Sequence, residues 1–345
     1  MKLGIIGLDG SEKSSIFEAL TKNIAAPELR SGLKGENRIG TINVPDSRVN
    51  TLEDMYQPAK TSYAKIEYFL PGEITKKRDQ NIWNSVRDCD ALIHVVQNFQ
   101  GFSSEKPNPF KAFLELEEDM ILSDIGVVEK RIERIDLDKK RGKQVNPEEI
   151  SLLKDCILKL ESEAPLRKYP LLASAHILKG FAFISAKPLL VLYNNSDDDD
   201  NMPDVEKIQA SQAGCMVIKG KLEHEIAQMS DDEAEEFMAE FNISASAMDR
   251  VIRKSYEILG RISFFTVGSD EVRAWTIRKE TQALDAADII HSDIKKGFIR
   301  AEVLSYDDLM SAGSHNEAKK KGTVRLEGKT YNVQDGDIIN FRFNV

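Results

Sequence analysis

A doubly wound α/β sheet with an inserted helical hairpin, followed by a small α+β domain, is the fold this sequence predicts. Three observations predict it. Short apolar runs alternate with helical stretches, as in parallel sheets covered on both faces. A heptad stripe interrupts that alternation. From Ser263 onward closely spaced strand signals take over.

Residues 2–8 (KLGIIGL) form the first continuous apolar run, followed by a glycine-containing loop and an amphipathic helix from Ser14 to about Lys22. Residues 91–96 (ALIHVV), 188–193 (PLLVLY) and 215–218 (CMVI) are further buried-strand candidates. Between them Ile121, Ile125, Val128, Ile132 and Ile135 recur at steps of four and three. Asn146, Pro147, Glu148 and Glu149 then supply an N-cap, a proline at the first helical position and first-turn acids. Ile150, Leu153, Ile157 and Leu160 continue the stripe on a second helix, and the turn Arg141-Gly142-Lys143-Gln144 joins the two. The pattern predicts an antiparallel hairpin whose first helix projects roughly 40 Å at 1.5 Å per residue; the alternative is that both helices simply pack on the sheet. Residues 230–260 read as helical. Paired strands over 264–267 and 272–277, a helix near 286–296 and a last strand at the C-terminus complete the prediction.

The 345 residues are 41% apolar and 30% charged, an ordinary globular composition with length for two or three domains. The N-terminal apolar run lacks the length and cleavage site of a signal segment, and no run approaches the roughly 20 apolar residues that span a bilayer. Cys89, Cys156 and Cys215 are dispersed without a CxxC spacing, so no metal site or disulfide framework is expected, and a reducing cytoplasm suits them. A net charge of −10 argues against a generally basic nucleic-acid-binding surface and leaves room only for a local patch.

Gly7-Leu8-Asp9-Gly10-Ser11-Glu12-Lys13-Ser14 nearly matches G-x-x-x-x-G-K-[ST] in the strand–loop–helix context that motif requires. In such a loop successive N–H groups and the helix N-terminus converge on phosphate oxygens. The cradle predicted here comprises Gly7, Asp9, Gly10, Ser11, Glu12, Lys13, Ser14 and Ser15. Lys13 reaches the β- and γ-phosphates and the Ser14 hydroxyl holds Mg²⁺. Glu12 stands where the motif has its second glycine. Its β-carbon restricts the backbone and its carboxylate repels phosphate, by about 1 kcal/mol in water at 4 Å and about 4 at an effective dielectric of 20. The alternative is an ordinary strand-to-helix turn capped by Ser11 or Ser14.

The chain resembles the YchF/Obg-like ATPase family. The matching strings are DRVIR (249–253), YEILG (256–260), EVRAWT (271–276), KGFIRAEV (296–303), RLEGK (325–329), VQDGD (333–337) and FRFNV (341–345). VPDSR (44–48), DALIHVV (90–96) and VEKRIER (128–134) extend the resemblance over nearly the full length. It implies a P-loop GTPase-like domain over 1–112 and 166–262, a coiled-coil insert over 113–165 and a TGS domain over 263–345. It also implies slow hydrolysis of ATP or GTP with Mg²⁺, and association with ribosomes in translation and stress. The partners expected are a purine nucleotide and ribosomal RNA contacted through the TGS domain and hairpin; a cytoplasmic monomer away from membranes is expected.

The departures fall where the chemistry should be. The family's D-x-x-G lies on Phe69-Leu70-Pro71-Gly72, so Gly72 can still offer an N–H to a γ-phosphate while Phe69 cannot support a metal-bound water. The glycine-rich switch after it is replaced by residues 73–79, and Thr41 is the nearest match to the switch I threonine. Asn194 and Asp197 occupy the base-reading positions; a register one residue later, on Asn195 and Asp198, and a solvated acidic loop are the alternatives. Residues 219–221 stand at the third base-contacting loop, and no catalytic residue is assigned. His94 is expected to be a satisfied core histidine, while Trp275 and Phe298 belong to the TGS core. Arg273, Arg300 and Arg342 form either an RNA- or protein-facing patch or solvated sheet-edge arginines. The competing function is a non-hydrolysing scaffold that docks through the hairpin and TGS domain.

Overall fold

In the computed structural model the described residues are 1–21, 36–72, 80–101, 106–204, 208, 213–240 and 246–344. They divide into two compact units, one of Met1–Ile42 and Ile66–Val251, the other of Asn43–Lys65 and Ile252–Val345.

The first unit is built on a six-stranded sheet of β1 (Lys2–Gly7), β2 (Arg38–Asn43), β4 (Lys65–Leu70), β5 (Ala91–Asn98), β6 (Leu189–Asn195) and β7 (Gly214–Ile218), in the order β2-β4-β1-β5-β6-β7. The pairs β1–β4, β1–β5, β5–β6 and β6–β7 are parallel. The apolar runs explain this centrality: Leu3, Ile5, Ile93, Val95, Leu190 and Leu192 are all buried, as strands covered on both faces must be. α1 (Lys13–Leu20) packs Ile16, Phe17 and Leu20 inward, and α2 (Ser47–Tyr56) and α3 (Gln80–Val86) come next along the chain.

α4 (Pro109–Lys140) and α5 (Pro147–Glu161) form the hairpin. Ile121, Val128 and Ile135 meet Leu153, Cys156 and Leu160 in one apolar cluster, and Gly142 turns the chain at φ +72°. The Asn146 side chain accepts from the Glu148 N–H and Pro147 opens α5. At 1.5 Å per residue, the 32 residues of α4 span about 48 Å. The hairpin does not separate from the sheet as the boundary at residue 113 implied. The first turns of α4 supply Phe113, Leu116 and Met120 to the sheet core alongside Ile184 and Leu189. Asp124, fully buried, accepts from the Ile184 and Ser185 N–H groups at 3.0 and 2.7 Å and pairs with Arg87. Arg167 and Glu117 form a second buried pair. Short helical turns, among them α6 (Pro170–Ala173), follow α5.

The second unit carries the sheet order β11-β10-β12-β8-β9-β3. Its strands are β8 (Arg261–Thr266), β9 (Glu271–Arg278), β10 (Phe298–Ser305), β11 (Arg325–Glu327), β12 (Asp337–Phe343) and the short β3 (Lys60–Ser62). One face packs on the helix Ala283–Ile290 through Phe264, Ile277, Ala286, Phe298, Val303 and Phe341. The expected single helix near 286–296 is two, broken where His291 caps Ser292–Lys296.

The sequence assigned 43–65 to the first domain; the structure corrects this. β3 adds to the second sheet beside β9, pairing Lys60, Thr61 and Ser62 with Glu271, Val272 and Arg273. In the helix Ser47–Tyr56, Arg48 grips Asp46 and Asp335 and lies 5.1 Å from the Phe265 ring centre. A three-residue polar strand leaves no hydrophobic pattern to read.

Candidate phosphate-binding site

The loop between β1 and α1 is wound about one carbonyl. Leu8 O accepts from the Ser11 N–H at 3.3 Å, the Ser11 hydroxyl at 2.9 Å and the Lys13 ammonium at 2.9 Å. Gly7 is required, because a Cβ there would stand 2.6 Å from both Ser11 Oγ and Val95 O. Gly10 takes φ +82°. No side chain caps α1 and its first turn holds no acid, which removes the reading of Ser11 or Ser14 as a cap. The first N–H groups of α1 are left without a side-chain cap, and with the helix dipole they favour an anion at this end. Asp9 and Ser14 are exposed, Ser15 half-buried.

Glu12 sits at φ 65°, ψ 33°, a left-handed conformation that costs a side-chain-bearing residue about 1 kcal/mol. The backbone therefore keeps the shape the glycine motif demands, under strain. The Glu12 carboxylate accepts from Asn194 Nδ2 at 3.0 Å. The same Nδ2 lies 3.3 Å from Ser11 O, and Asn194 Oδ1 accepts from the Gly220 N–H at 2.8 Å. Asn194 is 1% exposed. It therefore ties the loop, β6 and the helix Gly220–Ile226 together, with both ends of its amide engaged.

Asp197, expected from the sequence to face the base, is exposed and 3.9 Å from Lys221, while Lys219 pairs with Asp200 at 2.8 Å. These two ion pairs set the acidic loop beside residues 219–221. In the shifted register Asn195 is likewise buried, accepting from Asn98 and donating to the carbonyls of Asp199 and Asn201, so it builds the loop. Ser196 holds the exposed Asp198 carboxyl below its ordinary range.

Gly72 presents its N–H to Asn37 Oδ1 at 2.9 Å. Phe69 is buried with Ile6, Trp83 and Val86, and the Lys2 ammonium lies 4.5 Å from its ring centre. Thr41 is exposed on β2, the sheet edge. Residues 73–79 lie outside the described residues. Of the residues expected at a magnesium ion, Ser14 offers one exposed hydroxyl at the start of α1 and Phe69 offers no ligand; no cluster of three His, Cys, Asp or Glu exists among the described residues.

Sequence reasoning missed three features. Asn37 carries no motif, the Glu12–Asn194 bond joins residues 182 apart, and His94 departs from expectation. His94 is fully buried in β5 and stacked on Phe113, yet neither ring nitrogen has a hydrogen-bond partner among the described residues. Burial first, then the charges of Arg167 and Lys13, push its pKa down to about 3.

A family model for the YchF GTPase C-terminal region, described as a protein of unknown function (DUF933), matches residues 261–344. The Ribosome-binding ATPase YchF of Bacillus subtilis is 36% identical over 364 residues, covering 99% of each chain. That of Haemophilus ducreyi is 33% identical, covering 100% of this chain and 99% of the relative. Among solved structures, the Schizosaccharomyces pombe YchF GTPase superposes with a TM-score of 0.82 at 26% identity, covering 99% of this chain and 97% of that one. A GTP binding protein from Pyrococcus horikoshii, 17% identical with a TM-score of 0.62, shares the fold. With a cradle of this geometry on a P-loop GTPase-like fold, and full-length relatives above 30% identity, the chain belongs to the YchF family.

Proposed function

We propose that this protein binds a purine nucleoside triphosphate, ATP or GTP with Mg²⁺, at residues 7–15 and acts as a slow nucleotide-dependent switch on the ribosome. The observation that carries the reading is the uncapped start of α1 beside Lys13, held in phosphate-loop shape although Glu12 strains it. Full-length relatives named ribosome-binding ATPases support the ribosomal setting, and with it a cytoplasmic location. Lys13 and the loop amides hold the β- and γ-phosphates, Ser14 faces the metal and Asp197 the base. Phosphoryl transfer depends on positioning and charge neutralisation, and a bound magnesium ion supplies part of the latter. Phe69 removes its carboxylate support, so turnover is slow.

The second reading is a non-hydrolysing scaffold that docks through the hairpin and C-terminal domain. It is favoured by the internal occupation of the cradle: Lys13 on Leu8 O, Gly72 on Asn37 and Asn194 on Glu12. Fluorescent ATP and GTP titrated with and without Mg²⁺ separate the two. Micromolar binding that is abolished in Lys13→Ala supports the switch. No binding at millimolar nucleotide supports the scaffold.

A further inference from the structure

Glu12 fills the position of the motif's second glycine, and its side chain crosses from the left-handed backbone of the loop to β6. There the carboxylate accepts from Asn194 Nδ2 at 3.0 Å. An amide nitrogen carries two N–H groups and the amide oxygen accepts. The second N–H of Asn194 faces Ser11 O at 3.3 Å, and Oδ1 accepts from the Gly220 N–H at 2.8 Å. Both donors of this amide are thus engaged within the chain, and the residue is 1% exposed.

What surrounds the amide fixes its orientation. The Gly220 N–H can only donate, so the oxygen of Asn194 faces it and the nitrogen faces Glu12 and Ser11. A Cβ at Gly220 would stand 2.7 Å from Asn194 Oδ1, so only glycine lets the amide sit this close. The N–H on Ser11 O lies in a buried contact, whereas the N–H on the exposed Glu12 is the one a ligand can reach. Asn194 stands at the position that the sequence assigns to reading the base, and an asparagine amide recognises a purine by donating to the N7 acceptor of its ring. Glu12 holds that donor.

We propose that Glu12 determines how this site treats the base: its carboxylate stands in for the purine N7 on Asn194, so a nucleotide is held by its phosphates while the N7 edge goes unread. A hydrogen bond to an ionised acceptor is roughly twice as strong as one between neutral groups, so the ring nitrogen loses the competition for this N–H. The inference rests on the nucleotide reading proposed above and deepens it, because it gives Glu12 a part at the base in addition to its repulsion of phosphate. Glycine, the motif's own residue, would leave the Asn194 donor open to the ring.

The test is calorimetric titration of ATP, 7-deaza-ATP and tripolyphosphate, each with Mg²⁺, into the full chain. 7-Deaza-ATP has carbon in place of N7, and tripolyphosphate has no base. The wild type should bind ATP and 7-deaza-ATP within about twofold of each other. Glu12→Ala releases the donor, so there ATP should bind about fivefold tighter than 7-deaza-ATP, the worth of one hydrogen bond between neutral groups. Glu12→Gln keeps an acceptor on Asn194 and drops the charge. Tripolyphosphate should bind it more tightly than it binds the wild type, while ATP and 7-deaza-ATP stay within about twofold. The inference is overturned if the wild type already prefers ATP to 7-deaza-ATP, if Glu12→Ala gains no such preference, or if Glu12→Gln gains it as fully as Glu12→Ala. Each of those results leaves triphosphate binding intact. Failure of all three ligands to bind any of these proteins at millimolar concentration overturns the nucleotide reading itself, and this inference with it.

Discussion

Two carboxylates in the first unit hold distant segments together under opposite conditions. Asp124 is fully buried at the root of the hairpin and answered by two backbone N–H groups and Arg87. Glu12 is exposed at the mouth of the phosphate loop and answered by one side-chain amide. Burial pushes the Asp124 carboxyl up, against the donors of Ile184 and Ser185, so this site has to be fully satisfied to persist. The Glu12 hydrogen bond carries no such obligation, because water can replace it. The first is architecture; the second is an adjustable occupant of a binding site.

The largest expected effect breaks the architectural member. Asp124→Ala strands two N–H groups and the Arg87 charge, and should lower unfolding stability by about 3–5 kcal/mol. Glu12→Ala should cost less than about 1 kcal/mol. Urea unfolding of both variants checks the contrast, and equal losses would erase it.

His94 extends the comparison to burial without a hydrogen-bond partner among the described residues. Its folded pKa of about 3 lies below the ordinary 6.5, so the unfolded chain takes the proton first. The stability contributed by the neutral ring is complete above pH 6.5 and is lost as pH falls towards 3, at about 1.4 kcal/mol per pH unit. His94→Leu should flatten this part of the profile when unfolding is followed at pH 6.5 and 5.5. A wild-type slope in the variant would show that other groups set it.

The smallest effect belongs to Asn37, which sharpens the account of the occupied cradle. A hydrogen bond contributes about 1 kcal/mol net, so releasing the Gly72 N–H in Asn37→Ala should tighten triphosphate binding about fivefold. Diphosphate affinity should stay unchanged, because only the γ-phosphate competes for that donor. Competition titration with ATP and ADP tests this; equal gains for both would remove Asn37 from the γ-phosphate site.

How much of this was legible in the sequence follows from the range of each interaction. The continuous apolar runs that became β1, β5, β6 and β7 and the heptad stripe of the hairpin are local patterns, and the elements form where those patterns lie. The glycine positions of the loop were legible for the same reason. β3 was not: three polar residues join the second sheet through backbone bonds that any side chain permits. The Glu12–Asn194 bond and the Asn37–Gly72 bond depend on chain crossings that no window of sequence contains. His94 in an apolar run announced burial, but the lack of partners for its nitrogens depends on which side chains surround it in three dimensions.

The central claim is that a competent phosphate cradle persists and that Glu12 blunts it. Calorimetric titration of Mg²⁺–ATP and Mg²⁺–GTP into the wild type, Lys13→Ala and Glu12→Gly tests it most directly. The account predicts weak binding by the wild type, none by Lys13→Ala, and a gain of about tenfold or more in Glu12→Gly, where both charge repulsion and left-handed strain are relieved. Identical affinities for the wild type and Glu12→Gly, or binding that survives Lys13→Ala, would contradict it.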